Sequence, residues 1–108
     1  MKPVSPVDLD KVIHERARLA IMSALAASGS MTFNELKEAT AMTDGTLSVH
    51  ARVLENAGFV SIKKEFVALK PQTTMSLTEA GREAFRRYLD QLEQIVALGK
   101  DRKSSGKK

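Results

Sequence analysis

Apolar residues recur every three to four positions through four stretches of the chain, the mark of helices with one buried face, and two short segments between them are rich in strand formers. Leu9, Val12, Ile13, Ala17, Ala20, Ile21, Ala24 and Leu25 form the first stripe. Ser5 can cap it and Pro6 suits a first helical position, where its missing N–H costs nothing, so the spacing predicts a helix from there to about Ala27. Thr32 and Glu35 make a capping box that opens a second helix of about two turns, with Phe33, Leu36 and Ala39 inward. Met42-Thr43-Asp44-Gly45 breaks it, and Thr43 or Asp44 caps a third helix, Thr46 to Ala57. There Leu47, Ala51 and Leu54 share one face while Ser48, Val49, Arg52 and Asn56 take the other. Gly58 stops it. Strands are expected over Phe59–Phe66 and Thr73–Leu77, with Val67 to Gln72, including Lys70-Pro71, as the loop between them. Thr78 then opens a last helix of about five turns, with Phe85, Tyr88, Leu89, Leu92, Ile95 and Val96 as its seam.

Two short helices around a tight turn are the layout of a helix-turn-helix, and the hairpin that follows is the wing of a winged helix. The fold class expected is therefore mainly α with a small β-hairpin wing and long N- and C-terminal helices. Specific runs carry a resemblance: His14-Glu15-Arg16-Ala17-Arg18-Leu19-Ala20-Ile21-Met22, Met31-Thr32-Phe33-Asn34-Glu35-Leu36, Thr43-Asp44-Gly45-Thr46-Leu47-Ser48-Val49-His50 and Leu54-Glu55-Asn56-Ala57-Gly58-Phe59-Val60. Lys64 with Phe66, Lys70-Pro71 with Thr73, and Leu77-Thr78-Glu79-Ala80-Gly81-Arg82 extend it, in order, from about His14 to Arg82. The chain resembles the small winged helix-turn-helix transcriptional regulators related to the ArsR and MarR groups, in particular the compact winged helix DNA-binding domains. It departs from them at Ala51, where such regulators usually carry leucine. The resemblance implies duplex DNA as partner and pairing of two copies through their first and last helices.

Composition bounds this picture more than it sharpens it. The 108 residues have room for one domain, expected over 1–98, small enough that association would help to complete burial. Cysteine is absent, which excludes disulfides, thiolate metal sensing and cysteine redox switching. No apolar run approaches the roughly 20 residues of a membrane span, and Met1-Lys2-Pro3-Val4 leads into no signal-peptide core, so a soluble cytoplasmic protein is expected. The net charge of +4 comes wholly from the tail 99–108, whose five basic residues face one Asp. That tail is too polar to bury surface and is expected to be disordered. Residues 1–98 are formally neutral, but 45–77 hold Arg52, Lys63, Lys64 and Lys70 against Glu55 and Glu65, a modest basic bias where DNA would dock.

Candidate sites follow from these placements. With the third helix, about 44–57, in the major groove, Thr43, Thr46, Ser48, Val49, His50 and Arg52 are the candidate DNA contacts: hydroxyls for phosphates or base edges, Val49 for a thymine methyl, Arg52 for guanine or a phosphate. His50 has two readings, contact or packing, because its helical phase brings it near the buried side. Lys63, Lys64 and Lys70 would carry the wing, about 59–77, to the backbone or a minor groove, and since Lys63 and Lys64 alternate across a strand only one faces DNA in full. Leu9, Val12 and Ile13 with Phe85, Tyr88, Leu89, Leu92, Ile95 and Val96 are the expected homodimer interface, and a palindromic operator is the expected target. His14 and His50 are the only histidines, neither with a ligand-spaced partner, and the glycines are isolated, so no metal, cofactor or catalytic site is expected and the protein is read as no enzyme. Two other readings stay open: a winged helix that binds protein through Val49, Val53 and Val67-Ala68-Leu69, and a ligand-responsive sensor whose pocket no residue cluster marks.

Overall fold

The structure, a computed structural model, describes residues 5–106. Residues 1–4 of the expected domain and 107–108 of the expected tail lie outside them. Helix α1 spans Arg16–Ser28, α2 Phe33–Thr40, α3 Asp44–Asn56 and α4 Glu79–Gly106. Strands β1, β2 and β3 span Ser30–Thr32, Val60–Val67 and Lys70–Leu77, and form one antiparallel sheet in the order β1-β3-β2. Ile13, Ile21, Met22, Leu25, Leu36, Leu47, Leu54, Met75 and Tyr88 are fully buried where α1, α2, α3, the sheet and the start of α4 meet.

Local chemistry explains most boundaries. Both halves of the α2 capping box form: Glu35 N–H donates to Thr32 Oγ1 at 3.1 Å, and Thr32 N–H donates to Glu35 Oε1 at 2.9 Å. Thr43 caps α3 by accepting from Thr46 N–H. α3 ends in a Schellman motif, with Gly58 at φ 84° while Phe59 N–H reaches Leu54 O and Gly58 N–H reaches Glu55 O. α2 ends with Ala41 at φ 58°, in the left-handed region that costs any residue with a Cβ, while the Ala41 and Met42 N–H groups both reach Lys37 O.

The first helix does not run from Ser5 to Ala27 as its stripe suggested. Ser5 caps a single 3₁₀ turn, Pro6–Asp8, and the chain then bends until Glu15 caps α1. Asp10 causes the break: its Oδ1 accepts from Val12 N–H at 2.8 Å and Ile13 N–H at 3.1 Å, so both donors are satisfied outside a helix. The Val12 carbonyl accepts from Arg18 Nε at 2.6 Å. The bend tucks Leu9 and Ile13 under the core. The hairpin is longer than expected too. Lys70-Pro71 belongs to β3, with Val67 opposite Lys70 and Phe66 opposite Pro71, and the connection is the two residues Ala68 and Leu69 alone. β1 pairs Met31 with Met75 and had no counterpart in the sequence reading. α4 continues past Gly99 to Gly106.

The start of α4 is seated on the corner between α3 and β2. Thr78 N–H donates to Phe59 O at 3.0 Å, Thr78 Oγ1 donates to Gly58 O at 2.6 Å, and the same oxygen accepts from Gly81 N–H at 2.9 Å. Gly81 lies so close that a Cβ there would overlap the Phe59 carbonyl. Rigid backbone cannot yield as a side-chain tip can, so Gly81→Ala should destabilise the fold by about 3 kcal/mol in urea denaturation. Gly45→Ala, in a helix with open space around it, should instead be neutral or stabilising by up to about 1 kcal/mol. Ala41→Gly, which relieves a left-handed alanine, should raise stability by about 0.5–1 kcal/mol in the same assay.

Candidate nucleic-acid interface

Packing of Leu47, Ala51 and Leu54 against the core turns the opposite side of α3 to solvent. Thr43, Thr46, Ser48, Val49 and Arg52 all stand exposed there, so the structure brings these expected residues together on one surface. Val49 is 60% exposed, an apolar side chain among hydroxyls. Thr43 Oγ1 donates to Thr46 Oγ1 at 3.0 Å, which orients both hydroxyls at the N-terminal end of the helix. Lys37 of α2 pairs with Asp44 at 2.7 Å and offsets the one acidic side chain of the first turn. Arg52 is held only loosely, its Nε 3.9 Å from Glu55 with the side chain 72% exposed, and a surface pair of this kind restrains a guanidinium little.

The wing stands beside this helix. Alternation along the hairpin places Ile62 and Lys64 of β2 with Thr73 and Met75 of β3 on the face toward α3. Between them and Ser48, Ala51, Arg52 and Asn56 lies an open groove of about 740 Å³. Phe33, Ala51, Ile62 and Met75 give it apolar lining, and Arg52, Glu55 and Lys64 give it charged lining. Lys63 falls on the other face and pairs with Glu65 at 3.7 Å, so Lys64 is the one of the two that shares the groove with α3. Lys70 is exposed at the start of β3. Asn34, which the sequence reading passed over, lines a shallow depression with Gln72 and Thr73 and extends the polar surface along the wing.

His50 does not join the outer face. Its ring is half-buried and turned toward α1, with Nδ1 3.0 Å from Arg18 Nη1 and 3.7 Å from Glu15 Oε1. The Arg18 backbone N–H, donating to Oε1 at 2.9 Å, holds the Glu15 carboxyl below its ordinary range, helped by the charge of Arg18. His14 Nδ1 meets Tyr88 Oη at 2.8 Å, and burial pushes the Tyr88 hydroxyl up. This polar cluster escaped the sequence reading because its members lie 32 and 74 positions apart.

The residues expected at a dimer interface divide into two sets. Leu9, Ile13, Phe85 and Tyr88 are buried within the single chain, with Phe85 and Tyr88 rings stacked at 6.2 Å, so they serve its own core first. Val12, Leu92 and Ile95 are half-buried against that core, while Leu89, Val96 and Leu98 remain exposed along the outer length of α4. Among the described residues no cluster of His, Asp and Glu could hold a metal ion, and no helix is long and apolar enough to cross a membrane.

Comparison with known proteins agrees with this geometry. The family described as winged helix DNA-binding domain matches residues 17–96. An uncharacterized protein of Methanocaldococcus jannaschii is 34% identical over 85 residues, covering 79% of this chain and 92% of that protein. The structure of a transcriptional regulator homologue from Pyrococcus horikoshii OT3 superposes with a TM-score of 0.76 at 30% identity, over 80% of this chain and 85% of that one. A MarR family transcriptional regulator from Silicibacter pomeroyi DSS shares the fold at 22% identity, with a TM-score of 0.62 over 73% of this chain and 52% of that one. Both solved structures are described as transcriptional regulators. The family match runs from α1 through the helix-turn-helix and the wing into α4: the chain belongs to the winged helix DNA-binding domain family of transcriptional regulators.

Proposed function

We propose that the protein regulates transcription as a homodimer that binds a palindromic operator in duplex DNA, with α3 in the major groove of each half-site. The reading is carried by one observation: the exposed side of α3 gathers Thr46, Ser48, Val49 and Arg52, and Lys64 faces the same groove from the wing. Hydroxyls and the α3 N-terminal end suit phosphates, Val49 suits a thymine methyl, and Arg52 is free to reach the O6 and N7 of guanine. Lys64 and Lys70 neutralise backbone phosphates beside the helix. The same reading puts its site of action in the cytoplasm, with the DNA it would bind.

Dimerisation rests on α4. A helix of 28 residues is about 42 Å long, and the core covers only its beginning. Leu89 and Val96 stand exposed and Leu92 and Ile95 only half-buried along one seam, and the seam of a second copy would bury them. Two α3 helices joined this way must fall about 34 Å apart on one side of the duplex.

Site selection from a random duplex pool, followed by binding across a salt series, tests the reading. Arg52→Ala should cost about 1–3 kcal/mol on the selected site and relax preference at one position of each half-site. Lys70→Ala should weaken all sequences alike and lower the salt slope by about one unit. Binding that is insensitive to salt would point to a protein partner instead. For assembly, the double variant Leu89→Glu with Val96→Glu places charge only at positions the monomer leaves exposed. It should sediment at half the wild-type mass and lose tight binding to a two-half-site duplex. A wild type that sediments as a monomer would overturn the dimer.

A further inference from the structure

The wing ends in an apolar tip where a basic one would suit phosphates. Leu69 is 95% exposed, Phe66 76% and Val67 46%. Ala68 and Leu69 form the whole turn, at φ 53° and 68°, and a two-residue turn of this kind is made most cheaply by Asn-Gly or Asp-Gly. The chain accepts the crowding of two side chains in left-handed conformations and places its most exposed large apolar residue there. Neither the turn nor the core gains from that leucine.

Register shows what the tip belongs to. Phe66 pairs with Pro71 on the face that carries Lys64 and Thr73, so the apolar tip continues the wing face that lines the groove with α3. Lys64 lies on this face, Lys70 on the other beside Val67, and Glu65 is engaged by Lys63. The tip is thus an apolar point between two available lysines. From Lys64 to the turn is four residues, about 13 Å of strand. With α3 in the major groove, the adjacent minor groove opens about 17 Å away, half of a helical turn. An apolar side chain delivered into a minor groove finds no hydrogen-bond partner, and it escapes water by entering between two base pairs, which unstacks them and bends the duplex.

We propose that Leu69, backed by Phe66, is an apolar wedge that enters the minor groove flanking each half-site and bends the operator, while Lys64 and Lys70 hold the phosphates on either side. The inference rests on the placement of α3 in the major groove. It adds a source of specificity that needs no base-edge contact: the step under the wing should be a flexible pyrimidine–purine step, TA or CA/TG, because these unstack most cheaply.

Leu69→Gly and Leu69→Asn test it cleanly, since both residues favour the left-handed turn and leave the wing intact or steadier. The probe is a duplex selected from a random pool, labelled with a fluorophore pair at its ends to report bending and with 2-aminopurine at the flanking step to report unstacking. Wild type should bend the duplex and brighten the 2-aminopurine. Both variants should bind with most of the bend and the brightening lost and affinity lowered about tenfold, a change of 1.4 kcal/mol. Replacing the flanking step by a stiff A-tract should lower wild-type affinity and leave that of Leu69→Gly unchanged. Tight wild-type binding without bend or brightening, or variants that bend the duplex as wild type does, would overturn the wedge and leave the major-groove reading standing, with the tip then free to meet a protein. Failure of wild type to bind any duplex would overturn both.

Discussion

The interface depends on the contact between the first turn of α4 and the backbone of Phe59. Four pieces meet there: the end of α3, the first residue of β2, the last residue of β3 and the cap of α4. Thr78 joins them with its N–H and its hydroxyl, and Gly81 allows the approach by having no side chain. Because the bonds run from backbone to backbone or through one short hydroxyl, they define the position of helix and wing more tightly than interdigitated side chains would. The groove between α3 and the wing is therefore a property of the chain's trace, and substitutions along its rim can change what it reads without changing its shape.

A second polar junction holds α3 from behind. The segment before and into α1 reaches α3 through Arg18 and His50 and reaches α4 through His14 and Tyr88. These contacts sit at the edge of the core, where water still reaches them, and they link three helices through one short bend. Asp10 and Glu15 make that bend by capping N–H groups that a continuous helix would otherwise have used. The interruption of the first helix is thus what brings Arg18 to His50.

Legibility in the sequence tracked the range over which each feature is determined. Caps at Thr32 and Thr43 and the stop at Gly58 depend on neighbours within five positions, and all three form as read. The outward side of α3 follows from periodicity alone, and Thr46, Ser48, Val49 and Arg52 do share it. Features set by competition or by distant pairing were not legible. An unbroken apolar stripe from Leu9 to Leu25 gave no sign that Asp10 would bond Val12 and Ile13 ahead of helix formation. Pro71 argued for a loop, but in a β-strand it is tolerated where its missing N–H is not needed, and pairing of Lys70 with Val67 carries the strand through. β1 is three residues long, too short for any period, and exists because β3 offers an edge. The phase of His50 lay between two faces, and only the position of Arg18, 32 residues earlier, decides between them.

α4 leaves the Thr78 junction without interruption and carries the molecule to a length of 64 Å against widths of 26 and 21 Å. Its base is locked to the reading head by backbone contacts, so it behaves as the handle of a rigid tool. In a pair of copies joined along the far part of α4, a tilt of about 10° between the two handles would swing each head by about 7 Å over the roughly 42 Å of helix. That is a large fraction of the width of a major groove. In such a pair bound to DNA, register would be governed by the angle at which the two handles cross, far from α3 and the wing.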